Sequence, residues 1–125
     1  MSRAPLAALL LAAAMTCVGA AARAEGALRL LMLDEPGCPW CLAWEREIGP
    51  AYPNTSEGRR APLTRRRIGE SLPEGVTLAR PARFTPTFVL LEDGREIGRI
   101  EGYPGAEFFW FRLQQLFPAG ADGGS

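Results

Sequence analysis

Two cysteines separated by two residues, Cys38 and Cys41 in Gly37-Cys38-Pro39-Trp40-Cys41, are the residues of this chain best suited to chemistry. A thiol that attacks a disulfide must be a thiolate at working pH, and a second thiol must lie near enough to break the mixed disulfide that forms. The two-residue spacing supplies the second thiol, and the flanking sequence favours the thiolate. Residues 27–33 form an apolar run interrupted only by Arg29, the pattern of a buried strand, and Asp34-Glu35-Pro36-Gly37 ends it. From Pro39 to Ile48 the apolar residues Trp40, Ala43, Trp44 and Ile48 recur at helical spacing and predict one helix face. Cys38 then stands at a helix N-terminus, where unpaired N–H groups and the macrodipole favour an anion. Pro39 suits the first turn because its missing N–H has no intrahelical partner there. Cys41 falls about one turn along, facing the body of the protein. Cys38 is therefore expected to be the exposed nucleophile and Cys41 the resolving thiol.

The competing uses of such a pair depend on what else the chain carries. Arg3, the apolar run 6–18 and Ala22-Arg23-Ala24 match a secretory signal, so residues 1–24 are expected to be removed and the mature chain to begin near Glu25. An uncleaved anchor is the lesser reading because the run is short and Ala-rich, and a lipid on Cys17 is weaker still. Of 14 basic residues Arg3 and Arg23 leave with the signal, so 12 face 14 acidic ones and no nucleic-acid footprint remains. Cys17 leaves too, so Cys38 and Cys41 are the only mature cysteines, in an exported protein where disulfides persist.

Structural zinc needs four ligands, and the chain has no histidine and no third mature cysteine. Covalent haem attachment needs His after the second cysteine, where Leu42 stands. Copper carriage, a cluster bridging two protomers, and an inert structural disulfide stay open beside redox catalysis. A disulfide across so short a loop stabilises by only about 2 kcal/mol, which favours a chemical role over an architectural one.

The elements that must position the pair fit one domain over residues 25–118. Gly49-Pro50 and Tyr52-Pro53 stop or kink the first helix. Residues 54–71 are polar and Arg-rich, with a second strand expected over 62–68. Residues 72–83 hold Pro73, Gly75 and Pro81 and admit at most a short helical turn. Residues 87–91 and 96–100, joined by Glu92-Asp93-Gly94, predict a β-hairpin. Phe109, Leu113 and Leu116 then share a helical face, which Phe108, Trp110 and Phe111 are expected to widen as a buried set. Residues 119–125 read as a disordered tail.

Ahead of the hairpin lies Phe84-Thr85-Pro86-Thr87. Strand, cysteine pair opening a helix, then Thr-Pro before a hairpin and a last helix resembles the thioredoxin fold, an α/β three-layer architecture with a central mixed sheet flanked by helices. The resemblance implies that Pro86 is cis and packs against the disulfide, and that Thr85 offers its backbone to a bound strand. Glu35-Pro36-Gly37-Cys38, Leu78-Ala79-Arg80-Pro81-Ala82-Arg83-Phe84-Thr85-Pro86-Thr87-Phe88 and Arg99-Ile100-Glu101-Gly102-Tyr103-Pro104-Gly105 are similar to the periplasmic SoxS family of bacterial sulfur oxidation. That similarity implies a periplasmic thiol-disulfide oxidoreductase, and a monomer without cofactor or metal is expected. Its protein disulfide substrate would be a sulfur-carrier protein kept reduced, with electrons from a membrane thiol transporter. A thioredoxin-fold binding module that holds a metal or partner without redox turnover is the alternative.

Many thioredoxins carry a buried acid six residues before the first cysteine, and here that position is Met32. Asp34 and Glu35 are nearer the motif and are expected to be solvated, with Glu35 opposing the helix dipole by like-charge repulsion on Cys38. Trp40 is expected to be a contact surface beside the sulfur, and Trp44 core. Arg59, Arg60, Arg65, Arg66 and Arg67 read as a solvated face, or else as a steering patch for an acidic partner.

Overall fold

A computed structural model describes residues 2–3 and 26–119. The rest of the expected signal and the tail beyond residue 119 lie outside the described residues. The apolar run becomes β1 (Leu28–Asp34), one of the two inner strands of a four-stranded sheet ordered β2-β1-β3-β4. β2 (Leu63–Arg67) runs parallel to β1, whereas β3 (Thr87–Glu92) and β4 (Arg95–Glu101) are antiparallel neighbours. Alternation along the strands divides the core in two. Leu30 and Met32 of β1 with Phe88 and Leu90 of β3 face one layer, and Leu31, Leu33, Val89 and Leu91 face the other.

The first layer is helical. α1 (Pro39–Glu47) and α3 (Ala106–Leu116) cover it, and after α1 come a 3₁₀ turn Tyr52–Asn54 and the short α2 (Ser56–Arg60), which the polar sequence did not announce. Thr55 caps α2 by accepting from Gly58 N–H at 2.9 Å, and Tyr52 donates its hydroxyl to Ala61 O at 2.7 Å. Trp44 is the hub of an aromatic cluster, its ring centre 5.1 Å from Phe88 and 5.6 Å from Phe109. On α1 the buried stripe is Cys41, Trp44 and Ile48; Trp40 shares the helical spacing of that face but is 60% exposed, as a contact surface requires. On α3, Phe109 and Leu113 are buried while Phe108 and Phe111 are exposed, which corrects the expectation of a buried set. Successive helical residues are about 100° apart, so four adjacent aromatics cannot all meet one sheet face.

The second layer is irregular chain. Leu72, Val76, Leu78 and Ala82 pack on the second set of strand residues without forming a helical turn. Thr77 holds this segment on β4 through Thr77 N–H to Gly94 O at 2.8 Å and Glu96 N–H to Thr77 O at 3.1 Å. The hairpin turns at Asp93-Gly94, whose φ values of 50° and 81° suit a two-residue primed turn. At the other edge Arg65, Arg66 and Arg67 of β2 are exposed, a row of charge that discourages pairing with another strand. No helix among the described residues is long and apolar enough to cross a membrane.

Candidate active site

β1 and β2 both end, running parallel, at the edge of the sheet where the cysteine pair lies. Glu35-Pro36-Gly37-Cys38 then makes a turn closed by Cys38 N–H to Glu35 O at 3.3 Å. Pro36 presets the second position and Gly37, at φ +76°, takes the left-handed third position of a type II turn. The turn delivers Cys38 as the N-cap of α1, with extended backbone at φ −74° and ψ 109°. Pro39 opens the helix as expected, and Leu42 N–H to Cys38 O at 3.1 Å is its first turn.

Cys38 and Cys41 are joined in a disulfide, with Cα atoms 5.3 Å apart. Cys38 Sγ accepts from Cys41 N–H at 3.1 Å, so the sulfur already meets one of the unpaired donors of the helix N-terminus. That donor and the macrodipole would stabilise a thiolate at the same atom once the bond is reduced. One expectation fails in this oxidised state: Cys38 is 5% exposed and Cys41 4%, so accessibility does not separate the two thiols. What separates the cysteines is backbone position, Cys38 capping the helix and Cys41 lying on the buried stripe with Trp44.

The Thr85–Pro86 bond is cis, as the resemblance implied. The β1–β3 ladder ends with Leu33 opposite Thr87, and one and two steps further the same count sets Pro86 against Asp34 and Thr85 against Glu35. Pro86 is buried and Thr85 half-buried, and Gly102 N–H donates to Pro86 O at 2.7 Å from the β4 side. Thr87 Oγ1 donates to Phe84 O at 2.6 Å and braces the loop from within. Cys38, Cys41, Thr85 and Pro86 are thus brought to one end of the sheet. Trp40 stands exposed between the cysteines, and Phe84, which sequence reasoning passed over, is 58% exposed beside Thr85.

Farther back, a buried ion pair pins the segment leading to this loop. Arg99 donates to both carboxylate oxygens of Glu96 at 2.6 and 2.7 Å and to Arg80 O at 2.6 Å, while Ala79 N–H donates to Glu96 at 3.0 Å. Residues three apart on a regular strand point to opposite faces. The bulge that pairs Leu90 with Gly98 but Leu91 with Glu96 leaves Ile97 over, and so puts Glu96 and Arg99 on the same face. Burial pushes the Glu96 carboxyl up. The bonds from Arg99 and Ala79 and the charges of Arg99 and Arg80 outweigh it and hold the carboxyl below its ordinary range.

On the cysteine side of the sheet no acid is buried among the described residues: Met32 fills the position six before Cys38, fully enclosed. Tyr103, in the same core cluster as the cysteines, donates its hydroxyl to Glu47, and burial followed by that bond pushes the phenol up to about 12. Glu35 is exposed, as expected, whereas Asp34 is half-buried. Of the arginine cluster, Arg65 makes a two-pronged pair with Glu45 of α1 at 2.6 and 2.9 Å, and Arg60 lies 4.2 Å over the Phe117 ring.

No protein-family model and no curated protein matches the chain. Among solved structures, the reduced form of the periplasmic thioredoxin SoxS from Paracoccus pantotrophus is 55% identical over 71% of this chain and 94% of that one, with a TM-score of 0.70. A thioredoxin of Malassezia sympodialis is 16% identical over 73% of this chain and 76% of that one, with a TM-score of 0.48, too distant to carry an argument.

Proposed function

This chain belongs to the family of the periplasmic thioredoxin SoxS and is a thiol-disulfide oxidoreductase, and on that premise we propose that it works as a periplasmic disulfide reductase through Cys38 and Cys41. The observation that carries the reading is the redox pair at the N-cap of α1, with Cys38 Sγ already accepting a backbone N–H.

In the proposed cycle the reduced protein meets a substrate disulfide, held along Thr85 and Pro86 and against Trp40. The Cys38 thiolate attacks one sulfur, forming a bond from Cys38 to that sulfur while the substrate S–S bond breaks and the other sulfur leaves as a thiolate that takes a proton from water. Cys41 gives its proton to water and attacks Cys38 Sγ, which forms the intramolecular disulfide, breaks the bond from Cys38 to the substrate sulfur and releases the second substrate thiolate. The substrate gains two electrons and the protein loses two. An external dithiol restores the reduced state, and a membrane thiol transporter is the proposed donor. The substrate of this reading is a sulfur-carrier protein whose thiols must stay reduced. Residues 1–24 would direct export, and the domain beginning near Glu25 would act as a monomer.

The test is trapping. Cys41→Ser should accumulate mixed disulfides that a reductant releases, and Cys38→Ser none, because a covalent intermediate persists only when its formation is intact and its breakdown blocked. The proteins released from Cys41→Ser in periplasmic extract would identify the substrate. Equal trapping by both variants would refute the assignment of roles, and no trapping by either would favour a binding module that does not turn over.

A further inference from the structure

Glu35 is exposed, yet its carboxylate is not loose: Thr85 Oγ1 donates to Glu35 Oε1 at 2.6 Å across 50 residues of sequence. The bond joins the turn that presents Cys38 to the loop that carries Pro86. A surface hydrogen bond of this kind exchanges for one to water and adds little stability. Its position matters more, because any disulfide that reaches Cys38 along Thr85 passes a fixed negative charge. The salt bridges of the described residues engage Glu45, Glu96 and Glu101, and Glu35 is in none of them. Asp34 adds a second negative charge next to it in sequence. Arg67, paired in register with Asp34, lies on the opposite flank of β1 from Thr85. Arg83, exposed two residues before Thr85, also stands outside those bridges.

We propose that Glu35 determines substrate specificity: its carboxylate, held by Thr85, favours disulfides whose reacting cysteine is flanked by a cationic residue and disfavours those flanked by an acidic one. The inference rests on exchange at Cys38 as read above. The Cα atoms of Glu35 and Cys38 end one turn and lie within about 7 Å, and a flanking substrate charge about that far from the carboxylate would change a rate roughly threefold in water-like surroundings. Replacing a flanking Lys by Glu in the substrate should therefore slow the reaction on the order of tenfold.

Two reporter peptide disulfides, identical except for Lys or Glu beside the cysteine, measure this as the ratio of second-order rate constants with the reduced protein. Wild type should prefer the Lys peptide by about tenfold at low salt and less at high salt. Glu35→Gln keeps an acceptor for Thr85 without the charge, and should bring the ratio to within about twofold. Thr85→Val leaves the charge but releases it, and should give an intermediate ratio. A wild-type ratio near one, a ratio that survives Glu35→Gln, or an equal change in both rates would overturn the proposal while leaving exchange at Cys38 standing. Failure of wild type to react with either peptide would overturn both.

Discussion

Arg99→Met tests the claim that a buried ion pair pins the approach to the cis-proline loop. Arg99 and Glu96 side chains are 5% and 4% exposed, and the guanidinium also serves Arg80 O, so the substitution strands a carboxylate whose only remaining direct bond is from Ala79 N–H. Removing one partner of a buried pair costs about 3–5 kcal/mol. In a domain of this size that is a fall in Tm on the order of 15 °C or more. The pH dependence is the sharper readout. In wild type the folded-state carboxyl of Glu96 lies below its ordinary value, so its contribution is present above the unfolded pKa and is lost as pH falls through the folded one. With Arg99 gone, burial is the largest remaining influence and pushes the carboxyl up, so Glu96 should now favour folding as pH falls from neutral toward 5. Urea titrations at pH 5 and pH 7 should show the variant recovering part of its deficit at the lower pH. Adding Glu96→Gln, which keeps an acceptor for Ala79 without a charge, should recover part of it at pH 7. An unchanged pH slope in Arg99→Met, or a double variant as unstable as the sum of the singles, would refute the reasoning.

Tyr103→Phe removes the hydroxyl that Glu47 accepts and should cost about 1.5–3 kcal/mol in denaturant titrations near neutral pH. Because burial and Glu47 raise the Tyr103 phenol to about 12, its contribution is complete below the unfolded value and lost as pH rises through about 12. The variant should therefore lose part of the alkaline slope, and Tyr52, also raised by burial, should retain the rest. Gly58→Ala should destabilise by about 3 kcal/mol or more in the same assay, because the added Cβ would collide with the Tyr52 carbonyl. Gly37→Ala meets no atom within 4 Å and should cost only about 1–2 kcal/mol, for its left-handed backbone.

Much of the site was legible in the sequence because its signals are local. A proline after Cys38, an apolar run before it and helical spacing behind it act within a few residues of chain, so strand, N-cap and helix followed from backbone chemistry alone. The hairpin is equally local, written in Asp93-Gly94 between two strand-like runs. Thr85-Pro86 was legible only through its resemblance to a known pattern, since a proline ahead of a strand is ordinary. Tertiary structure decided what depends on register and burial. The bulge at Ile97 changed the parity of β4, and no propensity along 95–101 reveals that Glu96 and Arg99 share a face. Residues 72–82 carry no periodicity, yet they form a layer, because four apolar side chains at irregular spacing can cover a sheet face without a helix. Cys38 is as buried as Cys41 in the oxidised fold, which the spacing of the pair does not reveal, and the phase of the first turn puts Cys41 on the buried stripe while Trp40 stays exposed. The contact of Glu35 with Thr85 spans 50 residues and exists only because β1 and β3 pair antiparallel to their ends. Local sequence thus specified which groups do the chemistry, and long-range pairing determined which charge stands beside them.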